Sequence, residues 1–179
     1  LKDQFQQFFS NEEVFSLGIC NGCQTISLLS SLIPGTDAWP RFKRNNSEKF
    51  EARLSQVLIQ ESPSIFFKDM SGSIMPIPVA HGEGRAELSN EDFLELTSGN
   101  LNPMVYSDDQ GKSTDNYPEN PNGSPSGIAG VTNKSGRVTI MMPHPERAFL
   151  TSQNSWHPRD WKEYGPWIKF FANAKDFVS

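Results

Sequence analysis

The chain has 179 residues, enough for one domain with a substantial core, and a formal net charge of −5, which argues against a nucleic-acid scaffold. No run approaches the roughly 18 apolar residues of a membrane span, and residues 1–10 lack the charged start and cleavage site of a signal peptide. Hydrophobic residues supply only 36% of the chain, alongside 13 Gly and 13 Pro, so long irregular segments are expected between short core elements.

Leu1 to Phe9 reads as a helix, with Leu1, Phe5, Phe8 and Phe9 on one face. Val14 to Ile19 is an apolar run of strand length. Cys20-Asn21-Gly22 makes a tight corner, and Gln24 to Leu32 reads as a helix closed by Pro34-Gly35. Trp39 to Asn46 reads as a loop, whose basic cluster Arg41-Phe42-Lys43-Arg44 is a solvated stretch or a docking edge rather than an RNA site. Phe50 to Gln60 is a strand and Ser64 to Met70 a short helical turn. Ser73 to Val79 carries two prolines, which makes it an edge or broken strand. A glycine-rich loop, His81 to Arg85, follows, and Asn90 is placed to cap a helix over Glu91 to Leu96.

Further on, Pro103 to Tyr106 reads as a strand and Ser107 to Lys112 as a hairpin turn. Asp115 to Gly127 is rich in Pro, Asn, Gly and Ser. Ile128 to Val131 and Arg137 to Met142 form an antiparallel pair around Asn133 to Gly136. Trp161 to Val178 is a terminal helix, interrupted near Gly165-Pro166. The sequence contains no internal repeat.

Two of these junctions carry chemistry. Gly18-x-Cys20-x-Gly22 has the form of a strand-to-helix elbow with a cysteine at its tip. Small residues on either side let the chain turn sharply and let a ligand approach. Free N–H groups and the positive end of the following helix favour an anion at that position. Simple packing is the alternative for a lone cysteine. The flanking glycines favour a nucleophile. At the exit of the last strand, Pro143 and Pro145 hold His144 out of any helix, where open α/β sheets place their ligand sites. Glu146 is two residues on, within reach of the imidazole. A cysteine, a histidine and a carboxylate can serve as nucleophile, base and orienting group.

Cys20-Asn21-Gly22-Cys23-Gln24 and Pro143-His144-Pro145-Glu146-Arg147 resemble the triad segments of class I glutamine amidotransferases. Trp39-Pro40-Arg41-Phe42, Phe50-Glu51-Ala52-Arg53, Glu61-Ser62-Pro63-Ser64, Met75 to Arg85, Asn120 to Pro125 and Asn154 to Pro158 narrow the match. Together they resemble the glutaminase domains of phosphoribosylformylglycinamidine synthases of the long, single-chain form, over nearly the whole chain.

The resemblance implies an α/β fold with a mainly parallel central sheet, flanking helices and an antiparallel extension. It implies that residues 1–179 are one glutamine amidotransferase domain, the C-terminal part of a larger synthase, whose first strands and a second oxyanion loop precede Leu1. Glutamine would be hydrolysed to glutamate and ammonia. Cys20 would be the nucleophile, His144 the general base and then acid, and Glu146 its orienting carboxylate. The N–H of Asn21 would donate to the oxyanion. Gln24 would line the substrate pocket, which agrees with its position one helical turn after Cys20. The loop at His81, Gly82 and Glu83 would hold the α-amino and carboxylate ends of glutamine.

No metal or cofactor is expected in this domain. ATP and Mg²⁺ are expected in the partner synthetase domain, which would use the ammonia to aminate formylglycinamide ribonucleotide. The segment 115–127 would be ordered near that partner. Neither nucleic acid nor a membrane is expected as a partner, and a reactive thiol that must stay reduced points to the cytoplasm. Three other readings compete. Cys20-x-x-Cys23 could be a thiol redox pair, although Asn-Gly rather than Pro sits between the cysteines. Zinc could be held by Cys20, Cys23 and two of His81, His144 and His157, although these histidines are scattered. The chain could also be a non-catalytic docking piece of the same synthase.

Overall fold

Residues Leu1–Ser179 are described in a computed structural model. Along the chain run α1 (Lys2–Ser10), β1 (Ser16–Ile19), α2 (Asn21–Leu28), β2 (Arg41–Arg44), β3 (Glu51–Ile59) and β4 (Ile74–His81). These are followed by β5 (Glu83–Glu87), α3 (Asn90–Ser98), β6 (Met104–Tyr106), β7 (Ile128–Thr132), β8 (Val138–Met141) and α4 (Ile168–Phe177). Six strands form one sheet in the order β1-β8-β7-β6-β3-β4, and β2 pairs with β5 in a separate ribbon.

The α/β class with flanking helices is as expected, but the share of parallel pairing is smaller. Only β1 and β8 run parallel, and the other four pairings of the main sheet are antiparallel. For β7 and β8 the physical reason is connectivity: only residues 133–137 join them, and a parallel neighbour needs a long crossover.

Apolar residues alternate along the strands and divide the core into two layers. Met75, Ile77 and Val79 of β4 and Val57 and Ile59 of β3 pack with Phe66, Phe67, Trp167 and Phe170 beneath α4. Ile140 and Met142 face the other way, toward Cys23, Phe9, Trp39 and Leu96 under α1, α2 and α3. Met141, between them, faces the α4 layer. Burial of a side chain such as Phe170 is worth roughly 1.5–3 kcal/mol.

β4 occupies the edge that its prolines predict, and it is continuous rather than broken. Pro76 and Pro78 are paired in register with Gln56 and Leu54 of β3. Gln56 uses its carbonyl on the other side, for Ser107 N–H. The prolines therefore turn their missing donors toward the free edge, where no ladder bond is lost. That edge offers carbonyls, and three are taken: Pro76 by Trp167 Nε1 at 2.7 Å, Pro78 by His144 N–H at 2.9 Å and Ala80 by Cys20 Sγ at 3.8 Å. The sheet thus curls until its β4 edge meets the exits of β1 and β8.

Several local expectations are corrected. Trp39 to Asn46 is not all loop: Arg41–Arg44 pairs with β5, a long-range partner that only Phe42, its one buried residue, could have signalled. The cap of α3 is Ser89, not Asn90. Its hydroxyl accepts from Asp92 N–H, and the Asp92 carboxylate accepts from Ser89 N–H, a reciprocal capping box. Regular α-helix ends at Leu28 and a 3₁₀ turn covers Ser30–Leu32. The terminal helix starts only at Ile168, just past Pro166. In α1, Phe9 alone is buried, while Phe5 and Phe8 stay exposed and pack against it. No helix is long and apolar enough to cross a membrane.

Candidate active site

The elbow is strained where the sequence predicts it. Cys20 adopts φ 54° and ψ −110°, a conformation rarely held by a residue with a Cβ. Such strain costs on the order of 1–3 kcal/mol and persists only where the surroundings impose it. Here they do. Cys20 N–H donates to Met141 of the adjacent β8 at 2.9 Å, and Gln24 N–H closes the first helical bond onto the Cys20 carbonyl at 3.1 Å. A Cβ at Gly18 would lie 2.8 Å from the Gly22 carbonyl oxygen, so only glycine lets the strand pass the helix start. Gly22 is different, since a Cβ there would meet nothing within 4 Å. The N–H groups of Asn21, Gly22 and Cys23 precede the first intrahelical bond, the one from Gln24.

His144 lies three residues beyond Met141, at the exit of the strand beside β1. It is buried, and its N–H is anchored on Pro78 while Cys20 Sγ points at Ala80. Those two carbonyls are two residues apart on one strand edge, about 6.5 Å by strand rise. His144 Nδ1 and Glu146 Oε1 are 2.6 Å apart, a strong charge-assisted geometry. With Nδ1 engaged, Nε2 is the free nitrogen, and it makes no hydrogen bond within the protein. The thiol's bond goes to Ala80 rather than to that nitrogen. Burial alone would raise the Glu146 carboxyl. The hydrogen bond with His144, a bond from its own main chain, and the nearby His144 and Arg147 outweigh this and hold it below its ordinary value.

The remaining predicted residues gather at the turn from β4 to β5. Gly82 separates the two strands, and Glu83–Arg85 is β5 rather than loop. Gln24 Nε2 donates to the Glu83 carbonyl at 3.2 Å and to its carboxylate at 3.3 Å. The helix after Cys20 and the β4–β5 corner therefore meet. Asn21 is exposed at the start of α2. His81 differs from the others because its ring is interior, beneath Gly84 and 3.4 Å from Asn122 Nδ2. Burial, and then the charge of nearby His144, push it down to about 4, opposed in part by Glu51 and the main chain of Met142.

The residues that sequence reasoning missed are asparagines. Asn122 donates to the Gly84 carbonyl at 2.7 Å, and Asn120 donates to the carbonyls of Thr114 and Ser124. The segment 115–127 is ordered through these inward-turned amides. Its Asn-Pro-Asn-Gly-Ser composition signals turns but not which way the amides point. Cys23 is fully buried in the α2 layer, and burial together with Cys20 raises its thiol. Both cysteines are free, and no three His, Cys, Asp or Glu side chains are grouped as metal ligands. A concavity of 720 Å³ lined by Gln60–Asp69 and α4 lies at the opposite end of the sheet from Cys20.

Comparison with known proteins gives concordant matches. A family model described as a CobB/CobQ-like glutamine amidotransferase domain matches residues 1–178. The fold is similar to that of PurLQS from Thermotoga maritima, with 25% identity and a TM-score of 0.63, over 91% of this chain and 61% of that one. It is also similar to a putative GMP synthase subunit from Thermoplasma acidophilum, with 12% identity and a TM-score of 0.53, over 99% of this chain and 63% of that one. The second likeness concerns the fold alone. The chain spans less than two thirds of the length of either structure.

Proposed function

The chain belongs to the CobB/CobQ-like glutamine amidotransferase family, and from that premise we propose that it hydrolyses glutamine at Cys20 and supplies ammonia to a phosphoribosylformylglycinamidine synthase. The observation that carries this reading is the strained Cys20 elbow at the exit of β1, next to a strand that ends in the His144–Glu146 pair. His144 Nε2 takes the thiol proton, and Cys20 Sγ bonds to the carboxamide carbon of glutamine. The imidazolium so formed is stabilised by Glu146. The Asn21 N–H donates to the developing oxyanion. His144 returns its proton to the leaving nitrogen, the C–N bond breaks, and ammonia departs. A water deprotonated by His144 then cleaves the thioester to glutamate and free thiol. On this reading the thiol exchanges its bond to the Ala80 carbonyl for one to the imidazole as glutamine binds, a tightening common between free and substrate-bound sites.

The narrower assignment draws support from the quoted sequence segments and from likeness to PurLQS over nine-tenths of the chain. On this reading the ATP- and Mg²⁺-dependent amination belongs to the synthetase partner, and two free thiols suit the cytoplasm. The burial of Cys23 disfavours a redox pair, which requires both sulfurs to react. The test is Cys20→Ser in the full natural chain. It should abolish glutamine-dependent synthesis of formylglycinamidine ribonucleotide while synthesis from added ammonium continues. Glutamine use that survives the substitution would overturn the nucleophile assignment.

A further inference from the structure

His81-Gly82-Glu83-Gly84 carries the chain from β4 of the main sheet into β5 of the ribbon, with a bend at Gly82. The side chain of Asn45 takes a main-chain group on either side of that bend. Its Nδ2 donates to the His81 carbonyl at 2.8 Å, and its Oδ1 accepts from Gly84 N–H at 3.0 Å. The main-chain N–H of Asn45 donates to the Gly82 carbonyl at 2.9 Å. Asn45 is 2% exposed and lies just past β2, 36 residues before His81. One carboxamide therefore ties both sides of the corner to the end of β2. On the far side of that corner, Glu83 meets Gln24, one helical turn from Cys20.

We propose that Asn45 is a positioning residue for glutamine hydrolysis: it holds the main chain of Gly82 and Glu83 in the form that receives the α-amino and carboxylate ends of the substrate. The inference rests on the reading of Cys20 as a glutaminase nucleophile. It goes beyond that reading by making glutamine affinity depend on a buried amide that never touches glutamine. Asn45→Asp keeps the acceptor for Gly84 but removes the donor to His81, so two oxygens oppose each other. Asn45→Ala removes both and frees the corner from β2. A merely structural tie would lower the melting temperature of these variants and leave the kinetic constants alone.

The experiment measures glutamine hydrolysis by the full natural chain and by both variants. KM for glutamine is expected to rise about tenfold or more, with kcat within about threefold. Alkylation of Cys20 by iodoacetamide, which has neither α-amino nor carboxylate group, should proceed at the parental rate, and protection by glutamine should weaken by the same factor as KM. An unchanged KM in Asn45→Asp beside an active parent overturns the positioning role alone. A parent without Cys20-dependent hydrolysis overturns the glutamine reading, and the positioning role falls with it. If neither variant folds, amide exchange of the unmodified protein decides. Gly84 N–H should be protected, and more so after Cys20 is labelled with the glutamine analogue 6-diazo-5-oxo-norleucine. Exchange at the rate of an unstructured peptide, or no response to the analogue, overturns the proposal.

Discussion

The Cys20 elbow and the His81–Gly84 corner face each other across the site, yet they are held in opposite ways. The elbow is fixed mostly by its own neighbours, with one distant tie from Cys20 N–H to Met141: Gly18 lies against Gly22, and Gln24 N–H lies on the Cys20 carbonyl. The corner is fixed from afar, by Asn45 and Asn122, which lie 36 and 38 residues away from the groups they hold. The geometry of the Cys20 elbow is thus encoded mostly within a few consecutive residues. The wall opposite exists only once three distant segments have come together. A mostly local encoding tolerates remote change better, whereas a distributed one reports on the integrity of the whole domain.

The largest effect should come from removing chemistry while leaving both elbow and corner in place. His144→Ala is expected to slow thioester formation about 10²- to 10⁴-fold in single-turnover measurements. An unchanged rate would remove His144 from the role of base. The next effect separates the two regions by pH. His81 beneath the corner is driven down to about 4 from its usual 6.5. The unfolded chain therefore binds a proton there before the folded chain does. Stability from this group is complete above about pH 6.5 and is lost as pH falls toward 4, a loss approaching about 3 kcal/mol. Urea unfolding at several pH values should show that slope, and His81→Asn should flatten it. Equal slopes in both proteins would mean that the ring protonates freely in the folded state.

A smaller and more discriminating effect comes from a pair of glycine substitutions. Gly84→Ala sets a methyl against the His81 ring, and Gly18→Ala sets one 2.8 Å from the Gly22 carbonyl oxygen. Each is expected to cost about 1–3 kcal/mol by overpacking. The two should differ in kind: Gly18→Ala changes the alkylation rate of Cys20, while Gly84→Ala changes glutamine affinity and leaves alkylation alone. Identical responses would erase the distinction between elbow and corner.

The same distinction explains what could be read from the sequence. Gly18-x-Cys20-x-Gly22 and Pro143-His144-Pro145 announce their backbone geometry because glycine permits turns barred to other residues and proline fixes φ wherever it stands. Pro76 and Pro78 likewise place β4 at an edge. Arg41–Arg44 was hidden because three of its four residues are exposed and its pairing partner lies some 40 residues away. Asn45 and Asn122 were hidden for a related reason: an asparagine in a turn-rich segment looks the same whether its amide meets solvent or a distant backbone. The displacement of the cap from Asn90 to Ser89 is smaller, since both residues can cap and the choice falls to Asp92, three residues after Ser89.

The proline-bearing edge has one more consequence. An exposed strand edge is an invitation to another chain, and sheets left with a bare rim tend to stick rim to rim. In β4 two ring nitrogens carry no hydrogen, and the carbonyls of Pro76 and Pro78 are occupied by the indole of Trp167 and the main chain of His144. The rim that holds Cys20 and His144 is, by the same bonds, closed to strangers. Loss of the Trp167 indole would therefore expose more than a gap beneath α4: it would bare a place where a second copy could begin to add strands, and aggregation on heating should be its first symptom.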